Sequence, residues 1–128
     1  MRERERGVTA FREAFPILHV DDVERASGFY CSLLGFEETY RNVEEDGSVE
    51  FAFLALEPYG IGLARRPAGV ERDVALWIYA DDVDAAATAL REAGAEEVLP
   101  PTDQPWGERI CSFVDPHGHL LHVGAKAR

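Results

Sequence analysis

The stretch from Pro105 to Val123, PWGERICSFVDPHGHLLHV, concentrates the side chains that could do chemistry. It holds three of the chain's four histidines, together with an aspartate, a cysteine and a tryptophan set between a proline and a glycine. Imidazole and carboxylate groups are ligands for a divalent metal. A tryptophan in a Pro-Trp-Gly turn can instead serve as a platform on which a planar molecule stacks.

The spacing of the histidines argues against a metal. His119 and His122 are three residues apart on a predicted strand, so they point to opposite faces. His117 lies in an Asp-Pro-His-Gly turn, where it could meet His119 only at an exposed site. We therefore predict that this stretch holds no metal and that the protein needs no cofactor.

Other catalytic patterns are equally weak. Ser112 lies near histidines but in no nucleophile-elbow sequence. Cys31 and Cys111 form neither a disulfide framework nor a CxxC motif, and they are more typical of small core residues. Glu50 and Glu108 could act as bases, but nothing in the sequence separates them from surface carboxylates.

Composition excludes some classes of partner. The 128 residues carry 24 acidic and 13 basic side chains, a net charge of −11, which argues against nucleic acid because phosphate binding draws on clustered Lys and Arg. An acidic surface would favour a cationic partner, although it also serves solubility alone. No apolar run approaches the roughly 20 residues of a membrane span, and the charged N-terminus lacks a signal sequence, so we expect a cytoplasmic protein without membrane contact.

An internal repeat reveals the elements that must position these residues. VDDVERASGFYCSLLGFEE (20–38) and ADDVDAAATALREAGAEEV (80–98) both begin a helix at Asp-Asp-Val, where a short carboxylate caps the first turn. Gly35 and Gly94 end the two helices. The spacing predicts inward-facing side chains at Val23, Ala26, Tyr30, Leu33 and Leu34 in the first copy and at Val83, Ala86, Ala87 and Leu90 in the second.

The strands around these helices complete the plan. Strands at 15–20 and 73–80 precede the helices, and three strands follow each helix, separated by turns at Asp46-Gly47, 57–60, a loop over 100–107 and 115–118. The sequence thus predicts an α+β fold, in which two tandem βαβββ modules (about 14–66 and 73–124) form a curved mixed sheet around a cavity. Residues 14–128 make the single domain, and residues 1–13 make an N-terminal tail or arm whose first six or so residues are frayed.

With this doubled plan, FYCSLLGF in the first module and DPHGHLLHV at the end, the chain resembles the glyoxalase/bleomycin resistance/dioxygenase superfamily, also called vicinal oxygen chelate proteins. The resemblance covers residues 14 to 124 and implies the fold more specifically than the activity. It places the usual metal ligands at Phe15, Gly62, Ala75 and His122. Only His122 can donate to a metal, and a shift of the first position to His19 would supply two donors where a catalytic site needs three.

The tryptophans favour a binding site. Alternation along DVALWIYA puts Trp77 and Tyr79 on one strand face, either filling a core or, as the resemblance implies, lining the cavity. QPWGER (104–109) resembles the segment of bleomycin resistance proteins whose tryptophan stacks on the drug, which assigns that role to Trp106. The predicted ligand-binding residues are Trp106, Trp77, Tyr79, Phe51, Phe53, Gly107 and His122.

We therefore predict a metal-independent binding protein of the bleomycin resistance type, which sequesters an aromatic or cationic small molecule and so confers antibiotic resistance. A metal-dependent glyoxalase- or dioxygenase-like enzyme of the same superfamily is the alternative, and a structural or regulatory interaction module is a third hypothesis. Because half-open sheets leave edges, we also predict a homodimer, with TAFREAF (9–15) as an arm that crosses to the partner.

Overall fold

The computed structural model describes residues 9–126, and the predicted frayed tail over residues 1–6 lies outside this range. The chain divides into two compact units, which are considered separately: residues 15–75 form the first, and residues 76–126 with the segment 9–14 form the second. Each unit contains one helix and the strands of one βαβββ module. The predicted α+β class with two such modules is confirmed.

The first unit is built on a sheet in the order β2-β3-β4-β1. Strands β4 and β1 are parallel, and the other neighbours are antiparallel. The predicted Asp46-Gly47 turn joins β2 to β3, with Gly47 at φ 88°. The elements are β1 (Phe11–Val20), α1 (Val23–Leu34), β2 (Glu37–Val43), β3 (Val49–Leu56) and β4 (Tyr59–Arg65).

The second unit repeats the arrangement, with its strands in the order β6-β7-β8-β5. Strands β6, β7 and β8 are antiparallel neighbours. The predicted turn at 115–118 joins β7 to β8. The elements are β5 (Val74–Ala80), α2 (Val83–Glu92), β6 (Glu96–Asp103), β7 (Glu108–Val114) and β8 (Leu120–Lys126).

Both helices begin where the repeated motif predicts. The Asp22 carboxylate accepts from the backbone N–H of Arg25 at 3.0 Å, and Asp82 accepts from Ala85 at 3.1 Å, which satisfies donors of the first turn. The first helix ends at Gly35 in a left-handed conformation, φ 83°. Neither of the described helices is long and apolar enough to cross a membrane.

Each helix covers one face of its own sheet with a small apolar core. In both units, alternate strand residues point to the helix and the intervening ones point away. The first core contains Val23, Val49, Ala52, Leu54 and Leu63, and the second contains Ala80, Val83, Ala86, Ala87, Cys111, Phe113 and Val123.

The prediction of inward-facing residues in α1 is wrong at the C-terminal end of the helix. Leu33 and Leu34 are 67% and 49% exposed, whereas Ser27 is buried. The buried stripe passes through Val23 and Ser27, and Leu33 falls off this stripe while Leu34 is the last residue of the helix. The predicted inward face of α2 is confirmed, since Val83, Ala86 and Ala87 are buried and Leu90 packs against them.

Four strands extend beyond the predicted bounds. Strand β4 begins at Tyr59, inside the turn predicted over 57–60, and β8 continues to Lys126, past the predicted end of its module. Strand β6 continues through Pro100 and Pro101 to Asp103, where a loop was expected. It is the outermost strand of its unit, where a residue without an N–H costs no ladder hydrogen bond, and its pairing shifts register between Leu99 and Thr102. The connection to β7 is therefore only residues 104–107.

Strand β1 begins at Phe11, four residues before the predicted start. The segment 9–14 belongs to the second unit, because Asp81 N donates to the Ala10 carbonyl at 3.0 Å and Asp82 N donates to the Thr9 hydroxyl at 2.8 Å. Glu13, at φ 54°, marks the point where the chain passes into the first unit. Whether TAFREAF reaches a second copy stays a prediction.

Candidate functional site

The sheet of the second unit has a face opposite α2 that carries three of the predicted site residues, Trp77, Tyr79 and His122. Because Cys111, Phe113 and Val123 point to the helix, their neighbours in β7 and β8 point away from it. This face, called here the aromatic face, contains Trp77, Tyr79, Glu108, Ile110, Ser112, His122 and Gly124.

The Trp77 ring packs against Gly124 of the neighbouring strand. A Cβ atom on Gly124 would be only 2.6 Å from Trp77 Cζ2, so the indole occupies the space that a side chain there would fill. The indole is edge-on to Tyr79, with ring centroids 5.7 Å apart, and 5.9 Å from the His122 ring. Both Trp77 and Tyr79 are half-buried, so this strand face is partly open.

His122 is held by a buried serine. Ser112 and His122 are direct partners in the β7–β8 ladder, and Ser112 Oγ is 2.8 Å from His122 Nδ1. Ser112 is only 4% exposed. One ring nitrogen of His122 is thus engaged within the sheet.

Trp106 projects from the short turn between β6 and β7. Gln104 N donates to the Glu108 carbonyl at 2.7 Å and Gly107 N donates to the Gln104 carbonyl at 3.0 Å, which closes the turn. Gly107 has φ 99°, a conformation that other residues rarely adopt. The Trp106 side chain is 62% exposed, as a stacking platform requires.

Glu108 joins the turn to the aromatic face. Its Oε1 accepts from Trp106 Nε1 at 2.7 Å, and its Oε2 accepts from the Tyr79 hydroxyl at 3.3 Å. Burial raises the pKa of Tyr79, and the negative charge of Glu108 raises it further, while the nearby Trp77 indole acts in the opposite direction. One carboxylate therefore orients two aromatic side chains.

Sequence reasoning named Glu108 only as a possible base. A signal was available: Glu108 is two residues from Ile110 and four from Ser112, so strand alternation places all three on one face. It also follows Trp106 by two residues.

The two predicted phenylalanines lie on the corresponding face of the first unit, opposite α1. Ala52 and Leu54 point to the helix, so Phe51 and Phe53 point away. Phe53 is edge-on to Phe15 with centroids 4.9 Å apart. Whether these rings contact a ligand stays a prediction.

The residues at the family's metal positions do not fit a divalent ion. Phe15, Gly62 and Ala75 offer no side-chain donor, and a Cβ atom on Gly62 would be 2.9 Å from the Phe51 ring, so hydrocarbon fills that position. His19, the shifted candidate, engages its Nδ1 with the Arg72 carbonyl at 2.7 Å. Across residues 9–126, no group of three or more His, Cys, Asp or Glu residues is arranged to hold a metal.

The remaining histidines, His117 and His119, lie in the connection between β7 and β8 and bond to Asp115. Asp115 Oδ1 accepts from the backbone N–H groups of His117 and His119, and its Oδ2 is 2.9 Å from His119 Nδ1. These bonds, led by the one from the His119 backbone, lower the pKa of Asp115 to about 2. His119 precedes β8 instead of lying in it, so the predicted opposite-face relation with His122 does not apply.

Neither cysteine is poised as a nucleophile. Cys111 is fully buried, and burial raises the pKa of its thiol to about 11. Cys31 packs against the core of the first unit, 3.8 Å from the Ser27 hydroxyl. Both therefore have the structural role expected from the sequence.

Comparison with known proteins places this geometry in a family. The family model described as the Glyoxalase/Bleomycin resistance protein/Dioxygenase superfamily matches residues 14–123. An uncharacterized protein of Mycobacterium bovis is 29% identical over 125 residues, and the alignment covers 88% of this chain and 82% of that protein.

Solved structures with low sequence identity show the same fold. A glyoxalase/bleomycin resistance protein/dioxygenase superfamily member from Vibrio splendidus has a TM-score of 0.68 at 19% identity, with 90% of this chain and 98% of that chain covered. The Mn(II)-bound glyoxalase from Novosphingobium aromaticivorans has a TM-score of 0.58 at 23% identity, with 94% and 40% covered.

Proposed function

We propose that this chain, which belongs to the glyoxalase/bleomycin resistance protein/dioxygenase superfamily, binds and sequesters an aromatic or cationic small molecule without a metal. One observation carries the proposal: Glu108 joins the exposed Trp106 to the half-buried Tyr79, whose ring packs against Trp77. Aromatic rings held in fixed positions bind planar molecules by stacking and attract positive charge.

The metal-dependent enzyme is less well supported. A catalytic divalent ion normally has three protein ligands, and three of the four family positions hold Phe15, Gly62 and Ala75. The ring of Phe51 also lies where a longer side chain at position 62 would begin. We therefore derive no reaction step through a metal.

The ligand class follows from the same residues. A bleomycin-type glycopeptide combines a planar group with positive charge, and its sequestration would protect a cell from the drug. In this proposal Trp106, Trp77 and Tyr79 provide the stacking surface, Gly107 sets the turn, and His122 is a further ligand contact. Phe51 and Phe53, in the first unit, stay predicted ligand-binding residues. We also propose that the protein acts in the cytoplasm as a homodimer, which sedimentation at micromolar concentration tests.

The test is the loss of the exposed ring. Trp106→Ala should weaken binding of a bleomycin-type glycopeptide by about 1–3 kcal/mol, the scale of base stacking on aromatic side chains. The free energy of unfolding should change by less than about 0.5 kcal/mol, because surface side chains contribute little packing. Tryptophan quenching measures the binding in the parent protein, and calorimetry measures it in the variant.

Trp106→Phe is the matched control, because it keeps a ring but removes the N–H that binds Glu108. It should retain most of the affinity. If Trp106→Ala binds the ligand as tightly as the parent protein does, Trp106 stabilises its turn and does not stack on the ligand. Elemental analysis of untagged protein distinguishes the enzyme: near-stoichiometric Zn, Ni, Mn or Fe would contradict the metal-free proposal.

A further inference from the structure

Glu108 differs from the other half-buried glutamates of the two sheets. Both of these, Glu38 and Glu50, form ion pairs with arginine, as expected for carboxylates partly removed from water. Within residues 9–126, no basic side chain forms an ion pair with Glu108, although Lys126 is its backbone partner in the β7–β8 ladder. The two pairs are Glu38–Arg41 and Glu50–Arg65, and the exposed Glu97 is paired in the same way with Arg91.

The partners of Glu108 are instead neutral. Trp106 Nε1 donates to one carboxylate oxygen and the Tyr79 hydroxyl donates to the other. These bonds fix the orientation of the carboxylate without cancelling its charge. Since a carboxylate can accept about four hydrogen bonds, each oxygen has room for one more donor.

We infer that Glu108 selects the charge of the ligand: its carboxylate accepts hydrogen bonds from an ammonium or guanidinium group, while the planar part of the ligand stacks on the neighbouring rings. This inference rests on the proposed binding function and names the ligand class of that site. It requires a cation with N–H donors, because a quaternary ammonium can use the ring faces of Trp77 and Tyr79 but cannot donate to the carboxylate.

Three probes of one shape test the inference: 2-(2-naphthyl)ethylamine, its N,N,N-trimethylammonium derivative and 2-(2-naphthyl)ethanol. Calorimetry should show that the parent protein binds the amine most tightly and the alcohol least tightly. Glu108→Gln should weaken binding of the amine about tenfold to a hundredfold, the range for a hydrogen bond to a charged group. It should weaken binding of the alcohol less than about threefold.

Glu97→Gln is the matched control, since it removes one negative charge from the same unit while leaving the aromatic face intact. It should change the affinity for the amine less than about twofold. Tyr79→Phe removes a neutral donor but keeps the charge of Glu108, so the preference for the amine over the alcohol should persist. This second variant keeps the inference testable if Glu108→Gln unfolds.

The outcomes separate the two proposals. If Glu108→Gln weakens all three probes equally, or if the trimethylammonium probe binds as tightly as the amine, the role of Glu108 is refuted while aromatic binding stands. If the parent protein binds none of the probes, the binding function fails and the inference fails with it.

Discussion

Opposite its helix, the first unit presents hydrocarbon rings, whereas the second presents rings that carry an N–H, an O–H or an imidazole. In both, glycine in the last strand lets an aromatic side chain lie against the sheet: Gly62 lies under Phe51, and Gly124 lies under Trp77. The strand plan is therefore repeated while the chemistry is not. A duplicated framework can keep its backbone and specialise one face for polar recognition.

The residue pairs of the β3–β4 and β7–β8 ladders show how the two faces come to differ. In the first unit Phe53 is paired with Gly62, and in the second Ser112 is paired with His122. In the first pair the large residue, Phe53, lies on the earlier strand. In the second pair the large residue, His122, lies on the later strand and is polar. Ser112 then engages one nitrogen of that imidazole.

The largest expected effect is on stability, when one ring is deleted from each of the two faces. Trp77→Ala and Phe53→Ala should each lower the free energy of unfolding by about 2–4 kcal/mol, somewhat below the cost of deleting a fully buried ring. Urea denaturation measures this loss. Trp77→Ala should also reduce the preference for naphthylethylamine over naphthylethanol, because only the indole packs against Tyr79, which donates to Glu108. A reduced preference in Phe53→Ala instead would show that the faces do not differ as described.

A smaller effect concerns the glycines under the rings. Gly124→Ala and Gly62→Ala should each cost about 1–3 kcal/mol, since an added methyl group forces Trp77 or Phe51 to move. Only Gly124→Ala should alter the tryptophan emission spectrum of the protein. An equal spectral change in Gly62→Ala would contradict the assignment of the two rings to separate glycines.

The smallest effect compares two turns at low pH. Native hydrogen bonds lower the pKa of Asp115 to about 2 and also lower that of Asp46, chiefly through the bond that the Ser48 hydroxyl donates. A carboxyl with a lowered native pKa contributes stability above its unfolded pKa and loses it as pH falls. Thermal unfolding between about pH 4 and 2 should therefore show a weaker pH dependence in Asp115→Asn than in the parent protein. Asp46→Asn should show the smaller change of the two.

The sequence predicted the frame of the molecule well. Turn residues gave the connections from β2 to β3 and from β7 to β8, and the Asp-Asp-Val repeat gave both helix caps. Local signals are sufficient there because each cap or turn is satisfied by residues a few positions away.

The sequence-based predictions fail where burial or strand pairing depends on contacts with neighbouring elements. Leu34 fits the helical spacing but is the last residue of its helix, so it is exposed. Strand β6 tolerates Pro100 and Pro101 because it is an outer strand. The prolines themselves do not show that the strand lies at the edge of the sheet. Alternation could have placed Glu108 on its strand face, but its bond from Tyr79 comes from another strand, which no local pattern identifies.

The indole that packs against Gly124 gives this face a spectroscopic reporter. The ring current of an aromatic side chain shifts the resonances of protons close to it, so the Gly124 Hα resonances should differ from those of the other glycines. A molecule that moves Trp77 would change these shifts. Binding at the candidate site could then be followed through a residue that has no side chain.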